Sequence, residues 1–145
     1  MTTLPALAAV TVEVRVAVDP ARAFAAFTTD VGRWWPVGSH SVGGGGSTVA
    51  FVDGRLVETT AVGGSCLWGT VTTWDPPHRL ALTWHPGSPP DPCTQVEVGF
   101  AADGDGTVVT LVHTGWERVV RGAERRAEYA TGWPLVLAGY RDAAS

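Results

Sequence analysis

The chain contains no lysine, no asparagine and no isoleucine, and all ten of its basic residues are arginine. The missing types share codons that begin with two A or T bases, so the pattern reads as genomic base composition. It still has a chemical consequence. Without lysine there is no Schiff-base nucleophile and no P-loop lysine to hold a β- or γ-phosphate. Cysteine is nearly absent too. Cys66 and Cys93 lie far apart and form no CxxC pair, so two reduced, small buried side chains are the expectation; a disulfide is open but unneeded in a chain of this size. The four histidines, His40, His78, His85 and His113, are dispersed with no HxxxH spacing, which gives no metal site and no cofactor a foothold. A nucleophile elbow is missing as well: no G-x-S-x-G occurs, Ser65 lacks the following glycine, and Cys66 has no marked basic neighbour.

A basic face is also lacking. The net charge is −4, and the densest basic run, Arg121 to Arg126, is diluted by Glu124, so phosphate neutralisation and nucleic-acid binding are not expected. No long apolar run is present. The stretch Leu4 to Val10 is interrupted by Pro5, and no basic residue precedes Arg15, which supports neither a signal peptide nor a membrane span and points to the cytoplasm.

What is present is 145 residues, 45 % of them hydrophobic, enough for a single domain, residues 1–145, to close one core. Val10, Val12, Val14, Val16 and Val18 alternate with polar or small residues, a strand with one buried face. Asp19-Pro20 then reads as a helix N-cap with proline at the first helical position, leading into Phe24 and Phe27 on one face. Residues 32–47 read as loop, with one further helical turn possible at 31–35. Strands are expected at 48–53, 55–61, 66–75, 79–85, 94–102 and 107–114, joined by turn signals such as Asp53-Gly54 and Asp103-Gly104-Asp105-Gly106. Residues 86–93, with four prolines, form an irregular connection. From about Gly122 to Ala143 the composition is helical, and Trp133, Val136, Leu137 and Tyr140 recur as an apolar stripe. Pro134 is expected to kink or split this helix. The order strand, short helix, many antiparallel strands, long terminal helix defines an α+β fold in which one helix covers a strongly curved sheet.

Several segments carry a resemblance in order along nearly the whole chain. They are Phe24 to Phe27 with Gly32-Arg33-Trp34-Trp35-Pro36, then Gly69-x-Val71 leading to Pro76-Pro77-His78-Arg79-Leu80 and Thr83-Trp84. Thr110 to Trp116 follows, and finally Gly132-Trp133 with Leu137. Together they resemble the activator of heat-shock protein 90 ATPase homologue family of the START-like, or SRPBCC, superfamily. The resemblance implies a helix-grip fold, a curved antiparallel sheet wrapped round a long C-terminal helix with a deep cavity between them. Superfamily members include lipid carriers, hormone receptors, polyketide cyclases and ring-hydroxylase subunits, so the fold alone does not select a function. Where many relatives carry a basic strand, this chain has Val42-Gly43-Gly44-Gly45-Gly46-Ser47, which reads as a mobile lid. The eukaryotic co-chaperone is similar through only one of its two domains.

Candidate ligand contacts come from the seven tryptophans. Trp34, Trp35, Trp68, Trp84 and Trp116 sit at strand ends or loop edges and Trp133 on the helix, where they serve either as core or as cavity wall; an indole N–H there can orient a polar atom of a ligand. Phe51 and Leu137 join them as apolar positions. His113 is in step with Val109 and Leu111 and should face the apolar side, as a structural histidine or as an acid or base. Glu58 is a general-acid candidate if Leu56 and Thr60 share its inward face, because desolvation raises a carboxyl pKa; the opposite register, with Val57 and Thr59 inward, is equally open. Glu117 either rims the entrance or is solvated. The leading expectation is a non-catalytic protein, monomer or homodimer, that binds a small hydrophobic or aromatic molecule. The alternatives are a cyclase-like enzyme using His113 or Glu58, and a stress-response module that engages a heat-shock chaperone, as the family name implies.

Overall fold

The computed structural model describes residues 7–145. In chain order the elements are β1 (Val10–Val16), α1 (Pro20–Thr28), α2 (Val31–Trp34), β2 (Thr48–Val52), β3 (Arg55–Thr59), β4 (Ser65–Asp75), β5 (Arg79–Trp84), β6 (Thr94–Asp103), β7 (Gly106–Thr114) and α3 (Gly122–Ala144). The strands form one antiparallel sheet in the order β1-β7-β6-β5-β4-β3-β2. This is a meander from β2 to β7, with β1, which precedes the two short helices in the chain, paired beside β7.

Alternation writes the inner face. Val96, Val98 and Phe100 on β6 and Val109, Leu111 and His113 on β7 are buried, while Gln95, Glu97 and Thr114 are exposed. The ladder places Val96 opposite His113 and Val98 opposite Leu111, so each inward side chain meets another inward side chain across the pair. Register shifts in the β3–β4 pair at Leu56/Val57 and in the β4–β5 pair at Val71/Thr73 bend the sheet on itself. At Gly69 the two chains pass so closely that a Cβ would lie 1.8 Å from the Thr83 carbonyl oxygen. Only glycine fits there.

The helices close the concave side. Asp19 caps α1 by accepting from the Arg22 amide at 2.8 Å, and Pro20 opens the helix, as the sequence indicates. Trp133, Val136, Leu137 and Tyr140 form the buried stripe of α3, and the Tyr140 hydroxyl donates to the Ala23 carbonyl at 2.8 Å, tying α3 to α1. The expected break at Pro134 does not occur. The helix runs unbroken from Gly122 to Ala144, because the stripe that begins at Trp133 is held by tertiary packing that outweighs the one backbone bond a proline forfeits. Strand ends are shorter than the hydrophobic pattern suggests: β1 stops at Val16, and the Val18 carbonyl instead accepts from the Thr107 hydroxyl at 2.8 Å. β3 stops at Thr59 because Thr60 closes a turn onto Gly64.

Candidate functional site

Between the inner face of β4 and β5, the middle of α3 and the segment 35–42 lies a pocket of about 400 Å³. Trp35, Trp68, Trp84 and Trp133 wall it. Their rings form a continuous stack of contacts, with centroids 5.1 Å apart for Trp35–Trp68, 5.8 Å for Trp68–Trp84 and 5.2 Å for Trp84–Trp133, the tilted and edge-to-face spacing aromatic rings prefer. Polar groups come from its margin: Ser39, His40 and Ser41 on one side and Glu128 on the other.

The indole N–H groups do not point to a guest, contrary to the sequence expectation. Trp34 donates to the Ala26 carbonyl, Trp35 to the His40 carbonyl, Trp68 to the Glu58 carboxylate, Trp84 to the Tyr129 hydroxyl, Trp116 to the His113 carbonyl and Trp133 to His113 Nδ1, all at 2.7–3.0 Å. A buried indole N–H left unpaired is expensive, and this fold satisfies six of the seven internally. The seventh, Trp74, is 50 % exposed and packs against Phe24 and Phe51.

Of the residues singled out in the sequence, Trp35, Trp68, Trp84 and Trp133 meet in this pocket. Trp34 lies in the core between Phe27 and Tyr140, with centroids 5.3 and 5.2 Å away. Leu137 is fully buried on the α3 stripe, and Phe51 is half-buried against Trp74. Trp116 sits behind the pocket on a 3-10 turn, its ring 4.0 Å from that of His113. Gly115 starts that turn at φ 91°, a conformation that suits glycine. Glu117 is exposed on the same turn.

His113 faces inward and is fully buried. Trp133 can only donate, so His113 Nδ1 accepts at 3.0 Å; the ring proton therefore sits on Nε2 and donates to the Thr94 hydroxyl at 2.7 Å, which in turn donates to the Trp84 carbonyl at 3.1 Å. The chain of bonds fixes one neutral tautomer. Burial pushes its pKa down to about 3. Both nitrogens are occupied, so the ring is a structural keystone between β7, β6 and α3 and offers no free site for proton transfer.

Glu58 also faces inward, which settles the register left open by the sequence. Desolvation pushes its carboxyl pKa up, but donors from Ser47, the Val42 and Gly43 amides and the Trp68 indole together hold it below the usual value. The amides of Val42 and Gly43 reach the two carboxylate oxygens at 2.9 and 2.8 Å. The Ser47 hydroxyl is buried beside the same group, with no hydrogen bond of ordinary geometry among the described residues. A charged carboxylate so ringed by donors is the opposite of a general acid poised to give up a proton. It clips the glycine-rich segment to β3, and a Cβ on Gly43 would meet Ser47 Oγ at 2.7 Å. Ser41 secures the same segment by donating to the Val37 carbonyl and accepting from the Gly44 amide. The segment read as a mobile lid is anchored at Val42, Gly43 and Gly44, and Val42 is its contribution to the pocket wall.

Sequence reasoning missed Tyr129, which lines the pocket and accepts from Trp84. Its signal was present: Tyr129 precedes Trp133 by four residues and extends the α3 stripe by one turn. His40 and Val42 had no such signal, because no periodicity governs a loop. Among the described residues no three metal-ligating side chains cluster, Cys66 and Cys93 are both free thiols, and no helix is long and apolar enough to cross a membrane.

A curved seven-stranded antiparallel sheet gripping a long terminal helix, with an aromatic pocket between them, defines an α+β helix-grip protein. Within that class the chain belongs to the family of activator of Hsp90 ATPase homolog 1-like proteins, whose model matches residues 17–141. Among solved structures it is similar to CalC from Micromonospora echinospora, described as a self-sacrificing resistance protein. The identity is 26 %, the TM-score 0.68, and 94 % of each chain is covered. It is also similar to the Aha1 dimer from Colwellia psychrerythraea, at 17 % identity and TM-score 0.69 over 95 % of this chain and 96 % of that one. CalU16 from Micromonospora echinospora matches at 19 % identity and TM-score 0.64 over 94 % and 76 % respectively. The latter two likenesses establish the fold alone. No curated protein matches the chain in sequence.

Proposed function

We propose that this protein binds a small, flat, apolar molecule in the pocket between sheet and helix and acts by holding it rather than by transforming it. The observation that carries the reading is the satisfied indole set. Four tryptophans bound a pocket of about 400 Å³ while spending every N–H on the protein itself. Such a wall selects by ring contact and shape, and the volume lies in the range of ligand pockets, about 300–1,000 Å³. The polar margin at Ser39, Ser41 and Glu128 suits a guest with one polar end at the mouth. Turnover finds no support in the two inward polar residues, since both nitrogens of His113 and both oxygens of Glu58 are already bonded.

Tryptophan-fluorescence titration against a panel of polycyclic aromatics and fatty acids tests this. At Gly132, on the pocket wall, a Cβ would only touch the His40 ring at 3.4 Å, so Gly132→Leu fills the pocket without displacing backbone. Saturable quenching that disappears in Gly132→Leu, with Tm no lower than that of the wild type, is expected. No saturable guest, or equal binding by the variant, would overturn the proposal.

A second reading, engagement of a heat-shock chaperone, draws on the family and on Trp74 and Val52, large apolar side chains half-exposed. Stimulation of the ATPase of a bacterial heat-shock chaperone, lost in Trp74→Ala, would support it; absence of both binding and stimulation would remove it.

A further inference from the structure

A smaller pocket of about 180 Å³ lies beyond Trp84, between the 85–93 connection, the 3-10 turn at Trp116 and the first turns of α3. His85, one of its lining residues, carries a buried atom the fold leaves unused. His85 is 5 % exposed, and its Nδ1 bonds the Ser88 carbonyl oxygen at 3.2 Å. A carbonyl can only accept, so Nδ1 carries the proton and Nε2 of the neutral ring is a bare acceptor. That nitrogen has no hydrogen-bond partner among the described residues. Buried polar atoms nearly always find a partner, and here the ring borders a pocket.

We infer that the small pocket is a binding subsite for a phenol-class ring, whose hydroxyl donates to His85 Nε2. Three features select this chemistry. The acceptor requires a donor, which excludes ethers and carboxylates. Arg125 and Glu128 both line the same pocket; their opposite charges offset each other, which suits a neutral guest, and the guanidinium offers a donor to the oxygen of a hydroxyl. Pro86, Pro92, Trp116 and Val119 give the pocket apolar or flat walls beside polar ones from Ser88, Glu128 and Tyr129, and a cavity of about 150 Å³ is large enough for a benzene ring, so the space suits one six-membered ring bearing a polar substituent. The Thr94 and Tyr129 hydroxyls also border the pocket but are engaged, Thr94 with His113 and the Trp84 carbonyl and Tyr129 with the Trp84 indole, and Glu128 is exposed to solvent, so His85 Nε2 is the buried acceptor without a partner among the described residues. This subsite stands on its own geometry and does not depend on the occupant of the larger pocket.

The test compares phenol with anisole, which has nearly the same ring and size but no donor. In ¹⁵N-labelled wild-type protein, phenol is expected to move the His85 Nε2 resonance and the amides of Cys93 and Thr94 saturably, and to bind about 10-fold more tightly than anisole. It should also slow iodoacetamide alkylation of Cys93 while leaving Cys66 unaffected. In His85→Leu the preference for phenol over anisole should vanish. Equal binding of the two probes by wild type, shifts confined to Trp68 and Trp133 in the larger pocket, or no saturable shift at all would each overturn the inference. The wild-type comparison decides even if the variant does not fold.

Discussion

Replacing His113 by glutamine is expected to reverse the order of stability of two proteins between neutral and acid pH. Glutamine retains an acceptor for the Trp133 indole and a donor for Thr94 but cannot titrate. At pH 7.5 the variant loses packing volume in a fully buried site, so it should be the less stable by about 1–2 kcal/mol. In wild type the folded ring has a pKa of about 3 against 6.5 for the unperturbed side chain. As pH falls below 6.5, the unfolded chain takes up a proton at His113 that the folded chain refuses, so folding stability declines with falling pH. At about 1.4 kcal/mol per pH unit, two units of this decline remove about 3 kcal/mol from wild type by pH 4.5. The variant escapes that loss. Contributions from the other titrating groups are common to both proteins and cancel in the difference. Urea unfolding followed by tryptophan fluorescence at the two pH values measures it: the variant should be less stable at pH 7.5 and more stable at pH 4.5. A difference that stays constant within about 0.5 kcal/mol would refute the neutral, doubly bonded keystone.

Glu58→Gln sets an amide N–H₂ against donors now served by a carboxylate, and should destabilise by about 2–4 kcal/mol in urea unfolding at pH 7. Because the folded pKa of Glu58 lies below its ordinary 4.5, its contribution is present above that value and fades as pH falls through the folded pKa; the variant should lack this acid-labile component. Gly69→Ala forces a Cβ to 1.8 Å from the Thr83 oxygen and should cost about 3 kcal/mol or more, read as a collapse of Tm or of soluble yield. Gly132→Ala, mid-helix and with ordinary contact at 3.4 Å, should stabilise by about 0.5–1 kcal/mol in thermal unfolding.

The period-two runs of β1, β6 and β7 and the stripe Trp133, Val136, Leu137, Tyr140 made the sheet and its covering helix readable, because burial of one face leaves a periodic mark on composition. The inward direction of His113 followed from the same alternation with Val109 and Leu111. What alternation does not carry is partnership. Whether an indole N–H faces a cavity or a neighbour depends on residues distant in sequence, such as Trp84 with Tyr129 or Trp133 with His113. Glu58 shows the limit most sharply. Its inward register was one of two readings, and the effect of burial on its charge was reversed by two backbone amides from a glycine-rich loop sixteen and fifteen residues away, donors that no side-chain pattern reveals. Proline at 134 misled for the opposite reason: a local rule against helix was overruled by the packing of its neighbours.

We propose that the tryptophan-walled pocket admits an apolar guest. Intermolecular NOEs between naphthalene and selectively labelled indole protons test it most directly. Saturable cross-peaks to Trp35, Trp68, Trp84 and Trp133 are expected. Their absence at saturating naphthalene, or cross-peaks only to the exposed Trp74, would contradict it.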